Sequence, residues 1–337
     1  MNRLIASTFT ALALSLQAVA ANEHVLSFTP KDGAGGGKHI VLLSGDEEYR
    51  SEEALPMLGK LLAEKHGFKT TVLFSIGEDG TINPNKGDSV EGIEALDSAD
   101  LVIMLLRFRH WPDDKMAKFD AYLKSGKPII ALRTSTHAFN IKDGKYADYS
   151  WTAKGNWPGG FGRHILGETW VSHWGKHKKE GCLGVVEEAN AASPILRGVE
   201  AVFADSDVYE AAPPADAKIL MRGKVLAGMT ADTPPAIYSK KNKGGQEQDV
   251  NAPMMPIVWT REVDNGSGTK NKILCTTMGA ATDLKNEGLR RLVTNGAYHL
   301  LGLEVPAKAD VAVEGYNPTM YGFDGFKKGV KVADLKH

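Results

Sequence analysis

The sequence predicts an α/β domain with a mostly parallel sheet and helices on both of its faces. Three observations support this prediction. Short, continuous apolar runs recur along the first half of the chain, as is typical of strands that are buried on both faces. Segments with helical periodicity separate these runs, which gives the order β-α-β-β-α-β. A glycine follows each helical segment, where the chain has to leave the helical conformation.

The first half of the chain contains the most regular elements. Residues 38–45 form an apolar run and predict the first strand. The helix that follows can be capped by Ser51 and ends at Gly67, and leucines at helical spacing form its buried face. The other elements predicted here are strands at 68–74, 100–106 and 128–132 and a helix at 111–126.

The second half is less regular. Leucines recur in helical phase from Asn286 to Leu301, and Gly302 ends this predicted helix. Residues 239–252 are polar and predict a mobile loop. Short strands are predicted at 184–187, 201–203, 218–221, 256–259 and 272–277.

The N-terminus predicts export from the cytoplasm. Arg3 precedes an apolar stretch at residues 4–16, which is too short to span a bilayer, and Ala18-Val19-Ala20 resembles a signal-peptidase site. The alternative is a mobile cytosolic N-terminus. With a cleaved signal, the protein is periplasmic or secreted. The predicted organisation is a signal peptide at 1–20, a glycine-rich linker at 21–37, one domain at 38–304 and a tail at 305–337.

Charge and hydropathy argue against two classes of partner. Removal of residues 1–20 takes away one charged residue, Arg3, and leaves 39 basic and 41 acidic residues. This balance favours neither nucleic acid nor an anionic membrane surface. No later segment has the ~18 apolar residues that a spanning helix needs. The sequence leaves open whether the chain forms a homo-oligomer.

Unusual polar residues follow three of the predicted parallel strands. They occupy residues 45–50, 107–111 and 133–137. Ligands of open α/β sheets bind beyond the carboxyl ends of the strands, so we expect these three loops to converge on one rim. Each loop taken alone is also compatible with a solvated polar turn.

Histidine and tryptophan are concentrated in residues 110–177, which hold five of the ten histidines and five of the six tryptophans. Indole faces suit the apolar C–H patches of sugar rings, and imidazoles supply acid, base or metal-ligand groups. The alternative is a tryptophan-rich core with structural histidines. The preferred interpretation is a sugar-binding site.

Two pairs of histidines are candidates for a divalent metal such as zinc or manganese. His173 and His177 have the i, i+4 spacing with which two imidazoles share a metal on a helix, but Gly175 lies between them. The preferred pair is therefore His137 with His173, from two different loops.

The sequence motifs of several other kinds of enzyme are absent. Ser135 lies near His137, but the Gly-x-Ser-x-Gly pattern of a serine hydrolase is missing. No glycine-rich phosphate loop follows a strand, so no nucleotide cofactor is expected. Cys182 and Cys275 either pair in an oxidising compartment or remain separate buried thiols.

The motifs taken together resemble the ThuA-like (trehalose utilisation) family of the class I glutamine amidotransferase-like superfamily. The resemblance spans about residues 38–304 in the right order. It rests on residues 44–53 (SGDEEYRSEE), 132–139 (LRTSTHAF), 161–163 (FGR), 173–175 (HWG), 256–260 (PIVWT) and 277–279 (TMG).

This resemblance implies a flavodoxin-like sheet and a role in carbohydrate metabolism. The amidotransferases of the superfamily use a cysteine at the turn after a strand, where this chain has Thr134 and Ser135. With no thiolate at that turn, the chain is not expected to be a cysteine-dependent glutamine amidotransferase.

Two functions are compatible with the sequence. One is a hydrolase, lyase or isomerase that acts on a keto-sugar, free sugar or glycoside, with His137 and His173 as catalytic residues and as ligands of a metal. The other is a non-catalytic sugar-binding or accessory protein of the periplasm. The residues expected to bind the sugar are Asp46, Glu47, Tyr49, Arg50, Arg107, Arg133, Thr134 and Trp174.

Overall fold

A computed structural model describes residues 22–336 of the chain. The predicted signal peptide at residues 1–20 lies outside the described residues and stays a prediction. Along residues 22–336, no helix is both long enough and apolar enough to cross a membrane.

Strands alternate with helices in the first half of the chain, as the sequence predicts, and strands dominate the second half. The helices are α1 (Ser51–His66), α2 (Asp113–Lys124) and α3 (Glu287–Leu300). The strands are β1 (Val25–Phe28), β2 (His39–Gly45), β3 (Lys69–Phe74), β4 (Leu101–Leu106), β5 (Ile129–Leu132), β6 (Cys182–Val186), β7 (Phe203–Ala204), β8 (Lys218–Val225), β9 (Ser239–Lys241), β10 (Glu247–Asp249), β11 (Met255–Asp264) and β12 (Lys270–Thr276).

Ten strands form one mixed sheet in the order β1-β3-β2-β4-β5-β12-β11-β8-β6-β7. The five strands from β3 to β12 in this order pair in parallel, as the continuous apolar runs predict. The strands beyond β12 pair antiparallel with their neighbours. The prediction of a mostly parallel sheet is therefore right for the five strands from β3 to β12, and the strands on either side of them make the sheet a mixed one. In the second half, residues 265–269 are too short for a parallel crossover and turn β11 back onto β12.

Helices cover both faces of the sheet. Leu58 of α1 and Leu292 of α3 are fully buried in the same core cluster, on one face. Met116 and Phe119 of α2 are buried in a second cluster, on the other face. The apolar stripes of the three helices, read at helical spacing, thus meet the sheet from two sides.

Two segments expected to lack regular structure are paired. The glycine-rich linker at 21–37 contains β1, which pairs antiparallel with β3 at the sheet edge. The expected mobile loop at 239–252 forms a hairpin of β9 and β10. All three strands are short and lack the apolar run of a strand that is buried on two faces, which is why the sequence pattern missed them.

The tail is more deeply packed than the sequence indicates. Residues 305–336 form no strand and no α-helix, as expected, and end in a short 3-10 turn at Val332–Leu335. Val305, Val311 and Tyr321 are nevertheless buried. Tyr321 packs on Tyr49, with 5.0 Å between the ring centroids, so the tail reaches the carboxyl ends of the parallel strands.

Candidate functional site

Three loops meet at the carboxyl ends of the parallel strands. The backbone N–H of Arg107 donates to Gly45 at 2.9 Å, and that of Phe108 donates to His137 at 3.0 Å. Each loop also holds one non-glycine residue in the left-handed region, with φ of 59° at Arg50, 52° at Phe108 and 42° at Arg133. Such conformations cost energy and cluster at functional sites. The predicted rim therefore exists and is conformationally strained.

The segment after β5 folds across this rim. Gly162 packs directly on the 133–137 turn, since a Cβ at this position would overlap the carbonyl oxygen of Thr136. Farther along, the ring of Trp170 lies 5.8 Å from that of His137 and 5.7 Å from that of His173. A single indole thus joins the two histidines that the sequence singled out.

The centre of the site is a cluster of two histidines and one carboxylate. His173 Nδ1 donates to Asp207 Oδ2 at 2.7 Å, and His177 Nδ1 lies 3.3 Å from Asp207 Oδ1. On its other side, His177 Nε2 lies 3.0 Å from Glu48 Oε1. Asp207 is buried, whereas both imidazoles are partly exposed. The carboxylate of the cluster is therefore shielded from solvent, whereas its two imidazoles are accessible.

Arg133 holds Asp207 in place. Its guanidinium donates to Asp207 Oδ1 at 2.8 Å and lies between the rings of Tyr49 and Tyr209, with its Cζ 4.6 Å and 3.9 Å from their centroids. Burial alone would raise the pKa of Asp207, but the charge of Arg133 and the hydrogen bonds from His173 and His177 lower it well below its usual value. Asp207 is therefore an ionised, fixed carboxylate.

The pKa of His177 is raised to about 9 by hydrogen bonds to Asp207 and Glu48. Burial would raise the pKa of Glu48, but the hydrogen bond from His177 and the charge of Arg107 lower it overall. The surrounding carboxylates thus favour a positive charge at the position of His177.

The cluster fits a divalent metal. One ligand atom from each of His173, His177 and Asp207 can be chosen so that all three lie within 4.8 Å of one another. Two imidazoles and one carboxylate are a donor set that zinc accepts, and catalytic zinc sites keep a further position open. The excess of negative charge around His177 suits a cation in place of its proton.

His137 lies beside this cluster in an aromatic environment. Its ring centroid is 5.0 Å from Phe108, 6.5 Å from Trp151 and 6.3 Å from Tyr209. Burial, followed by the charges of Arg107 and Arg133, lowers the pKa of His137 well below its usual value. Its imidazole is therefore neutral near pH 7.

Two carboxylates from the first loop fix the other loops. Asp46 Oδ1 accepts the backbone N–H groups of Glu48 and Tyr49, both at 2.7 Å, and its other oxygen accepts the hydroxyl of Thr134. Burial raises the pKa of Asp46 to about 6. Glu47 pairs with Arg107 and also accepts from Arg109 Nη2 at 2.9 Å. These bonds join all three rim loops.

Comparison with solved structures identifies the fold. A protein from Parabacteroides merdae ATCC 43184 that is described as thua-like superposes on 80% of this chain and 92% of its own, with 15% identity and a TM-score of 0.51. This chain has the fold of a ThuA-like protein. A second protein described as thua-like, from Bacteroides uniformis ATCC 8492, superposes on 83% of this chain and 95% of its own, with 16% identity and a TM-score of 0.48. The sequence itself matches no family model and no curated protein.

Several residues expected to bind a sugar prove to be buried parts of the ThuA-like fold. Arg50, Thr134 and Trp174 have no exposed surface. Arg50 donates to the backbone oxygen of Gly322 in the tail, and Trp174 Nε1 donates to Val250 at 2.9 Å. The expectation of direct contact is corrected likewise for Asp46, Tyr49 and Arg133, which are 0–1% exposed. All six position other groups, and only Glu47 and Arg107 of the expected set reach the surface.

The preferred metal pair also needs correction. The structure groups His173 with His177 and Asp207, and His137 is not a member of this group. The i, i+4 pair arises although the segment is not an α-helix. A turn at residues 174–179 returns His177 to the ring of His173, with 4.6 Å between the centroids.

The tryptophans divide between core and site. Trp111 is 3% exposed and packs on Phe119 and Phe139. For this residue, the alternative interpretation of a tryptophan-rich core applies. Trp151 and Trp170 are partly exposed beside His137 and are therefore not core residues. The local enrichment therefore had two physical causes.

The cysteines and Ser135 take no part in the site. Cys182 and Cys275 are both buried and unbonded in the part of the chain that the structure describes, and burial raises the pKa of each thiol. Ser135 Oγ donates to the carbonyl oxygen of Met104 at 2.9 Å. Its hydroxyl is therefore engaged by β4.

Asp207 and Tyr209 are the residues that the sequence interpretation missed. They follow the two-residue strand β7, where no apolar run indicates that a rim is near. The available signal was the acidic stretch Asp205-Ser206-Asp207, which lies between the apolar residues Val202 and Val208. A charge in such a setting has to be paired when the segment is buried.

Proposed function

We propose that this chain is an exported member of the ThuA-like family that acts on a sugar, keto-sugar or glycoside in carbohydrate catabolism. The parallel strand order β3-β2-β4-β5-β12 supports a flavodoxin-like sheet, because renumbering these strands gives the order 2-1-3-4-5. The shared fold supports the family, and the export signal is proposed from residues 1–20 alone.

The observation that carries the proposal is the cluster of His173, His177 and Asp207 beside the neutral His137. The packing of the sheet does not require a buried anion with two accessible imidazoles beside it, and such clusters of perturbed ionisable groups are typical of functional sites. It lies at the carboxyl ends of the parallel strands, where α/β sheets bind ligands.

The proposed reaction is a hydrolysis, elimination or isomerisation assisted by a divalent metal such as zinc or manganese. His173, His177 and Asp207 would hold the ion. Such an ion, when bound, polarises a keto or hydroxyl oxygen as a Lewis acid. Neither a nucleotide cofactor nor a cysteine nucleophile enters the proposal.

The chain's own residues supply the remaining functions. His137 is neutral and can accept a proton at a ring nitrogen, as a general base must. Trp151 and Trp170 present partly exposed indoles that can pack on a sugar ring and exclude water. Arg107 is fixed by Glu47 and can donate to a hydroxyl or keto oxygen.

A second candidate function is sugar binding without catalysis. The aromatic residues around His137 support it, because Phe108, Trp151 and Trp170 form a surface that suits a pyranose whether or not a reaction follows. This function predicts affinity for a sugar with no product after long incubation.

Turnover of a 3-keto-glycoside tests the two candidates. We expect consumption by the native protein, a loss of at least about 100-fold in H137A and H173A, and no change in H299A, which alters an exposed histidine on α3. Full turnover in folded H137A and H173A would refute the catalytic assignment. Binding by the native protein without any product would favour the second candidate.

A further inference from the structure

The C-terminal tail is held firmly across one side of the site. The backbone N–H of Gly322 donates to Glu48 at 2.8 Å, and the guanidinium of Arg50 donates to the Gly322 carbonyl oxygen. Upstream, Thr319 donates to Glu53 through its backbone N–H at 2.8 Å and through its hydroxyl at 2.6 Å. Because the tail is anchored at Thr319 and again at Gly322, the position of the residue that follows Gly322 is fixed.

That residue, Phe323, exposes an aromatic ring. It is 57% exposed, and Val186, Ile237 and Met320 are the only other large apolar side chains that are exposed within residues 22–336. Two of these four residues thus lie in one short stretch of the tail. Single exposed apolar residues are ordinary, but an anchored pair beside a polar site favours a binding role.

Phe323 and Phe108 lie on one guanidinium. The Cζ of Arg107 is 5.1 Å from the Phe323 centroid and 4.4 Å from the Phe108 centroid. Both rings depend on strained backbone: Phe108 has φ of 52°, and Asp324, next to Phe323, has φ of 55°. Asn85 Nδ2 donates to Asp324 Oδ1 at 2.9 Å and supports the strained turn. This cost is consistent with a functional placement of the ring.

One N–H donor group of Arg107, Nη2, is available to a ligand. Its Nη1 pairs with Glu47, and its Nε lies 3.9 Å from Glu48. Its Nη2 makes no hydrogen bond among residues 22–336, and the side chain is 16% exposed. An exposed aromatic face next to a fixed, partly exposed donor matches a pyranose ring, which presents C–H groups on one face and hydroxyls at its edge.

We propose that Phe323 and Arg107 form a subsite for a second sugar ring, next to the ring that reacts beside His137. The second ring packs on Phe323 and accepts a hydrogen bond from Arg107 Nη2. Phe108 joins the two positions, because its ring contacts both Arg107 and His137. The natural ligand is therefore a disaccharide or larger glycoside. This inference rests on the proposed function of the site.

Calorimetric titration with trehalose and with methyl α-glucoside tests the subsite. We expect the native protein to bind the disaccharide more tightly than the monosaccharide. F323A should weaken the binding of trehalose by about fivefold to tenfold and leave that of methyl α-glucoside within about twofold. F323W should restore the affinity for trehalose. V186A, the matched control, removes an exposed apolar side chain from β6 and should change neither affinity.

The outcomes separate the subsite from the proposed function. Unchanged trehalose affinity in F323A, with binding lost in H173A, would overturn the subsite alone. Equal weakening of both sugars in F323A would also overturn it, because Phe323 would then act through the fold. Failure of the native protein to bind either sugar would overturn the subsite and the proposed function together.

Discussion

Removal of Arg133 should destabilise the fold far more than the size of one side chain suggests. Arg133 and Asp207 have 0% side-chain exposure each, with 2.8 Å between Nη2 and Oδ1. In R133M, Asp207 keeps a buried charge with only His173 and His177 beside it. Breaking one partner of a buried pair costs about 3–5 kcal/mol, so we expect a loss of this size.

The double variant R133M/D207N should lose less than the sum of the single variants, because neither charge is then left alone. We expect a coupling free energy of about 2 kcal/mol. Urea unfolding followed by tryptophan fluorescence at pH 7.5, with a chelator present, gives all four free energies. R222M is the matched control: its partner Glu187 is 28% exposed, so the cost should be below about 1 kcal/mol. Additive losses within about 0.5 kcal/mol would refute the reasoning.

Three further predictions concern stability elsewhere. Burial raises the pKa of Glu52 to about 7 in the fold, so this group should cost the native protein stability as pH rises from about 4.5 to 7 and should add no further cost above that range. E52Q should therefore gain up to about 3 kcal/mol over the native protein between pH 5 and pH 8, measured by urea unfolding, and a constant difference would contradict this. N286A removes the cap that accepts the Leu289 N–H at 2.9 Å and should cost about 1 kcal/mol, where an unchanged stability would show that the cap contributes nothing. L292A opens a cavity at a fully buried position of α3 and should lower the free energy of unfolding by about 2–5 kcal/mol, whereas a loss below 1 kcal/mol would place Leu292 outside the core.

The sequence predicted the parallel half of the sheet because burial on both faces leaves a plain signature. Residues 38–45 and 100–106 are apolar without alternation, and both become central strands. The strand β1 left no such signature, because an edge strand with one solvated face needs no apolar run. The antiparallel pairing of β11 with β12 follows from the short connection between them, and a search for apolar runs does not consider the lengths of connections.

The sequence predicted where the site lies but not which residues form it. The three loops converge because parallel strands end at one edge, which is a property of topology. Burial of Arg133 and Thr134 could not be foreseen, because polar residues in a loop look alike whether they face solvent or a buried partner. Asp207 was missed for a related reason: its partner Arg133 is 74 residues away along the chain. Long-range pairing leaves no local pattern.

Metal content tests the central claim most directly. The native protein, treated with a chelator, dialysed and titrated with zinc at pH 7.5, should bind one ion per chain, and so should H299A. H173A and D207N should bind at least about tenfold more weakly. Failure of the native protein to bind zinc or manganese, or unchanged binding in H173A, would contradict a metal-assisted site built on His173, His177 and Asp207.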